Sequence, residues 1–169
     1  RVALFGKGSF DYVKGGGGSG DVTCAYVRNV CDGLKEEGVF VYEPLSDYYR
    51  AYVAERYAAG DIPGLMAEPE LPVELLSSAR EHADTAVIVL SRFSGEGWDR
   101  EPVFYQEPDY PWPDELNMPR KAKDLFPRGD YYLTGEEQRM VNQVCAAFDK
   151  VAVVLNAGGV ADVSWFCEE

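Results

Sequence analysis

The sequence predicts an α/β fold: a three-layer α/β/α sandwich built on a mainly parallel, flavodoxin-like sheet. Three observations predict it. Short runs rich in β-branched, aliphatic and aromatic residues occupy residues 2–5, 39–42, 85–90 and 151–155, with the composition of buried strands. Segments with apolar residues at helical spacing lie between them. The third run is apolar on both faces, as a parallel strand covered by helices on two sides requires. Such alternation implies β-α-β crossovers, and sites in that architecture gather at the carboxyl ends of the strands. With 169 residues, 46% of them hydrophobic, the chain can bury one core, so a single domain over residues 1–169 is expected.

The elements follow in order. The run from Val2 is stopped by Gly6, and a polar connection leads to the glycine-rich stretch 14–20. From Val22 the positions Tyr26, Val27, Val30, Cys31 and Leu34 recur at helical spacing, and Gly38 is a suitable C-cap. Residues 39–42 then predict the second strand, which Pro44 cannot continue. The spacing of Tyr48, Tyr49, Tyr52, Val53 and Tyr57 predicts a helix over 45–59 ended by Gly60, its aromatic stripe serving as core. The acidic, proline-bearing stretch 61–71 is a loop. Pro72 suits a helix's first turn, with Leu75, Leu76, Ala79 and Ala83 facing inward and His82 as a capping or surface residue near its end. The third strand covers 85–90. A long, proline- and aromatic-rich connection over 91–133 follows, of the length that usually carries function. Thr134 with Glu137 forms a capping box for a helix facing inward through Met140, Val141, Val144, Cys145 and Phe148. The fourth strand, 151–155, leads to Asn156-Ala-Gly-Gly and a short turn through Val163 and Trp165.

Composition narrows the function. Sixteen basic against 29 acidic residues argue against a basic groove for nucleic acid. No apolar run approaches the roughly 20 residues of a membrane span, and no leader pattern opens the chain, so a soluble protein is expected, its compartment open. Cys24, Cys31, Cys145 and Cys167 form no Cys-x-x-Cys pair and there is one histidine, so no metal or cofactor is predicted. Cys24 and Cys31, about 10 Å apart along one helix, are too far for a disulfide and are expected as small core residues.

The segment of densest chemistry is Ser91-Arg-Phe-Ser-Gly-Glu-Gly-Trp-Asp-Arg100, which leaves the third strand directly. Glu96, flanked by glycines, is open to a substrate, and its pKa can be set by burial and by Arg92 or Arg100. The plain alternative is a Gly-Glu-Gly turn that ends a strand. Trp98 offers a flat apolar face. Arg92, Asp99 and Arg100 can either touch a ligand or hold the loop through ion pairs. Lys14, Gly17, Gly18 and Ser19 belong to the glycine-rich loop on the neighbouring strand end. Gly15, Gly17 and Gly20 formally satisfy G-x-G-x-x-G, but they begin too far from Gly6 for the tight strand-to-helix turn of a dinucleotide site, and no Walker lysine follows. The three loops 14–20, 91–100 and 156–159 should converge on one rim.

Leu4-Phe-Gly with Lys14-Gly-Gly-Gly-Gly-Ser-Gly-Asp-Val22, Arg92 to Arg100, Tyr132-Leu-Thr-Gly-Glu-Glu137 and Val153-Val-Leu-Asn-Ala-Gly-Gly159 leading to Trp165 together resemble the carboxy-terminal α/β sandwich domain of glycoside hydrolase family 3. The likeness runs in order over essentially the whole chain. It implies a retaining, exo-acting β-glycosidase acting on terminal non-reducing β-linked sugars, with Glu96 as acid/base. It also implies that the nucleophilic aspartate lies on a separate (β/α)8 barrel of the same enzyme, which is absent here. Trp98, Arg92, Asp99, Arg100, Lys14, Gly17, Gly18 and Ser19 are then candidate substrate-binding residues. The family's domain continues past the Trp165 region, so a fragment whose sheet lacks its last strands is expected. The rival reading is a non-catalytic, flavodoxin-like binding module that uses the glycine-rich loop for a nucleotide or small ligand.

Overall fold

A computed structural model of the chain describes residues 1–16, 18–20, 22–95 and 118–166. Three parallel strands form one sheet in the order β1 (Val2–Phe5), β2 (Thr85–Arg92), β3 (Val151–Ala157). The register pairs Val2 with Thr85 and Phe5 with Ile88 on one side of β2, and Ala86 with Val151 and Arg92 with Ala157 on the other. All three strands therefore deliver their carboxyl ends to the same side.

The helices are α1 (Val30–Glu36), α2 (Glu43–Ala58), α3 (Val73–His82), α4 (Met118–Leu125) and α5 (Gly135–Ala147). Side chains alternate across each strand, and this divides the core in two. Ala3, Phe5, Ala86, Ile88 and Leu90 face the larger cluster, filled from α2, α3 and α5 by Leu45, Tyr49, Ala79, Met140 and Val144. Leu4 and Val89 face the opposite way and meet Cys31 of α1 together with Val41. The result is the expected α/β/α layering. It is uneven, since Val154 on the second face remains 36% exposed. Among the described residues no strand pairs with the outer edge of β3.

Four expectations are corrected. Residues 39–42 do not form a strand. Val41 makes a single parallel bridge to Val2, supported by Val2 N–H to Phe40 O and Tyr42 N–H to Val2 O, both 2.9 Å. The chain between the end of α1 and the start of α2 is too short for more. Gly38, at φ +73°, closes α1 with paired bonds from its own N–H to Lys35 O and from Val39 N–H to Leu34 O, while Pro44 already lies in the first turn of α2. The helix expected from Val22 begins only at Val30. Asn29 caps it, its side chain accepting from Asp32 N–H at 2.9 Å while Asp32 reaches back to the Asn29 N–H. Cys24 is thus outside any helix and exposed, as is Cys145 of α5, so Cys31 alone of the described cysteines is core. Cys167 lies outside the described residues. Finally, the connection 91–133 contains α4, whose Ala122 and the following Phe126 bury against Leu65 and Phe93.

The polar connection after β1 is itself a built structure. Gly6, at φ +90°, lets the chain turn across β2, and a Cβ there would stand 2.3 Å from Val89 O. The 3-10 turn Lys7–Ser9 follows, fully buried. Lys7 Nζ donates to Asp11 Oδ2 at 2.9 Å and to Ser91 Oγ at 3.3 Å, while Lys7 N–H donates to Glu68. Asp11 Oδ1 also accepts from the Tyr57 hydroxyl and the Gly64 N–H, each at 2.8 Å.

Candidate functional site

The carboxyl ends of the strands meet around a cavity of about 280 Å³. Its walls come from residues 12–16, from Arg92 and Ser94 after β2, and from residues 156–158 at the end of β3. The three loops expected to converge do so in their described parts. Two contacts fix their spacing. Asn156 Nδ2 donates to Val13 O at 3.2 Å, joining the end of β3 to the loop from β1. Ser94 is wedged between two glycines: a Cβ on Gly16 would lie 2.9 Å from Ser94 O, and one on Gly158 would lie 2.4 Å from Ser94 Oγ.

Lys14 lines the cavity, and its ammonium donates to Val22 O at 2.5 Å, drawing the two ends of the glycine-rich loop together. Gly18 and Ser19 form a 3-10 turn with Gly20, and Ser19 is exposed. Glu96, Trp98, Asp99, Arg100 and Gly17 lie outside the described residues.

Arg92 is the last residue of β2 and only 5% exposed. Its Nε donates to Asp130 O at 2.9 Å, Nη1 to Ser91 O at 2.9 Å and Nη2 to Tyr132 O at 3.1 Å. Nη1 and Nη2 also donate to the two oxygens of Glu137, each at 2.7 Å. A guanidinium has five N–H groups, and these five bonds occupy all of them. In this arrangement Arg92 has no donor left for a ligand. Glu137 simultaneously accepts from Thr134 N–H at 2.8 Å, so the predicted capping box of α5 doubles as the arginine's counter-ion. Burial pushes the Glu137 carboxyl up, but the Arg92 charge and hydrogen bonds more than reverse this and hold it below the usual carboxylate range.

Sequence reasoning missed Ser94 and Tyr12 as cavity residues, the Arg92–Glu137 pair, and the Lys7–Asp11–Glu68 cluster behind the rim. The Lys7–Asp11 spacing of four was a readable signal for the last. The cavity wall offers the hydroxyls of Tyr12 and Ser94, the Asn156 amide, backbone groups and one ammonium. That set suits an uncharged, hydroxyl-rich ligand. No described carboxylate lines it. A nucleotide is poorly served, because residues 22–29 are not helical and no helix N-terminus follows the glycine loop directly.

The chain matches the model of the glycosyl hydrolase family 3 C-terminal domain over residues 1–169. It belongs to that family. It is 47% identical over 175 residues to beta-glucosidase A of Butyrivibrio fibrisolvens, an alignment covering 98% of this chain and 20% of that protein. Identity to a beta-glucosidase of Ruminococcus albus is 32%, over 98% of this chain and 16% of the relative. Among solved structures, a beta-glucosidase from Paenibacillus barengoltzii superposes with a TM-score of 0.74 at 28% identity, covering 98% of this chain and 16% of that one. Beta-glucosidase 3B of Thermotoga neapolitana, solved with glycerol, gives 0.70 at 30% identity over 97% of this chain and 21% of its own. The chain therefore spans about a fifth of the length of the relatives it matches. The family 3 assignment agrees with the parallel sheet, the helical layers and the loops gathered at the strands' carboxyl ends. Among the described residues no helix is long and apolar enough to cross a membrane.

Proposed function

We propose that this domain supplies the acid/base of a retaining, exo-acting β-glucosidase, and that Glu96 is that group. The observation that carries the reading is that Arg92 and Ser94, just upstream of Glu96 in the chain, lie at the carboxyl end of β2 on the rim where the loops from β1 and β3 meet. The family membership supports it. The nucleophilic aspartate belongs to a (β/α)8 barrel elsewhere in the same protein, and the single domain 1–169 closes against that barrel over a terminal β-linked sugar.

Retaining hydrolysis needs two carboxyls about 5 to 5.5 Å apart, one attacking the anomeric carbon while the other protonates the leaving oxygen and then activates water. The acid must keep its proton near neutral pH, which burial or a neighbouring carboxylate provides. Splitting the pair between domains means that the acid is tuned only when the cleft is closed. Trp98 is assigned to stack on a sugar ring. Lys14, Gly17, Gly18 and Ser19 are assigned to the lip of the cleft, and Asp99 and Arg100 to the loop around the acid.

In the full-length enzyme, Glu96→Ala is expected to lower kcat/KM for cellobiose by several orders of magnitude and for an activated dinitrophenyl β-glucoside far less, because a good leaving group needs no proton. Added azide restores turnover and yields the β-glycosyl azide. Equal losses on both substrates overturn the assignment. The isolated domain is expected to show no turnover, since half of the pair is missing.

A further inference from the structure

We propose that Arg92 and Glu137 are positioning residues for the loop that carries Glu96; the inference rests on the acid/base reading of Glu96. Arg92 stands four residues before Glu96 in the chain, within at most about 14 Å of extended backbone. It is the last residue of β2 still in register with β3, opposite Ala157. Whatever fixes Arg92 fixes the point from which the loop departs.

The bonds of Arg92 run to three separate pieces of the chain. Ser91 O belongs to the strand itself, Asp130 O and Tyr132 O to the segment preceding α5, and Glu137 to the first turn of that helix. The Phe126 ring lies against the guanidinium, 4.8 Å from Cζ to centroid. A bidentate fork constrains orientation as well as distance, which a lysine ammonium cannot do. Glu137 is constrained in turn, since its Oε2 also accepts the Thr134 N–H. The loop root is therefore referenced to the axis of α5 through a rigid, planar linkage. Since all five N–H groups are spent on protein acceptors, Arg92 acts on the reaction through the placement of the acid and not by touching sugar.

Small displacements of a reacting group cost large factors in rate, about a hundredfold for an ångström. Arg92→Lys in the full-length enzyme keeps the charge and loses the fork. It is expected to lower kcat/KM for cellobiose about 10- to 100-fold and for the dinitrophenyl glucoside less than about threefold, with azide giving little rescue because the Glu96 carboxylate is still present. Glu137→Gln, which keeps an acceptor for Thr134, is expected to show the same split more weakly, and it carries the test if Arg92→Lys does not fold. Equal losses on both substrates, or a lowered Tm with unchanged kcat/KM, overturn the inference. If Glu96→Ala shows the leaving-group split and neither of these variants does, only the positioning role falls. If Glu96→Ala lacks the split, both readings fall together.

Discussion

Two buried clusters of charge sit behind the same rim, and they treat their carboxylates in opposite ways. Glu137 receives both arms of Arg92 and is held ionised below its usual range. Glu68, equally enclosed, receives the Lys7 backbone N–H and lies beside the Tyr49 hydroxyl but has no cation of its own among the described residues, because the Lys7 ammonium is committed to Asp11 and Ser91. Burial raises the Glu68 carboxyl from 4.5 to about 8, with the nearby Glu137 charge adding to that and Lys7 only partly opposing it. Burial alone does not decide whether a carboxylate keeps its charge. What decides it is whether a cation is dedicated to it.

The comparison breaks most visibly if the arginine is deprived of its partner. Glu137→Ala leaves a guanidinium buried without a counter-ion and is expected to lower the stability of the domain by about 3–5 kcal/mol, measured by denaturant unfolding. The second cluster is probed by pH. Glu68 holds its proton to a higher pH in the folded than in the unfolded state, so stability should fall as pH rises from about 4.5 to about 8 and level off above it. Between about pH 6 and pH 8 the loss is about 2 kcal/mol. Glu68→Gln should flatten that slope, and an unchanged slope would show that Glu68 stays ionised throughout. The smallest effect is expected from Thr134→Ala, which removes the N-cap acceptor for Glu137 N–H but leaves the Arg92–Glu137 pair intact. About 1 kcal/mol should be lost, with the leaving-group dependence of kcat/KM unmoved.

The sequence made the three paired strands, α2, α3 and the capping box of α5 legible, because each is declared locally by an apolar period, a proline in a first turn, or a threonine and glutamate three apart. The start of α1 was misread although its signal was present. Asn29 and Asp32 form a capping box, but Tyr26 and Val27 extend the apolar spacing upstream of it, and in the fold both are exposed. Residues 39–42 have strand composition, yet the closing turn at Gly38 and the helix beginning at Glu43 leave room for one bridge. The convergence of loops at the rim followed from topology. The partner of Arg92 did not, since Glu137 lies 45 positions away and already had a sufficient local role as a cap. Glu68 was hidden for a similar reason: an acid in a proline-bearing stretch carries nothing that says it is buried.

Ser94 has one more consequence, for engineering. Its backbone oxygen sits where a Cβ on Gly16 would stand 2.9 Å away, and its hydroxyl would have to rotate aside for a Cβ on Gly158. The rim is therefore an interlocked joint and not a set of interchangeable parts. A loop transplanted in place of residues 12–16 therefore has to keep glycine at position 16 or bring a changed 93–95 segment with it, because the atom it would meet is backbone and cannot rotate away.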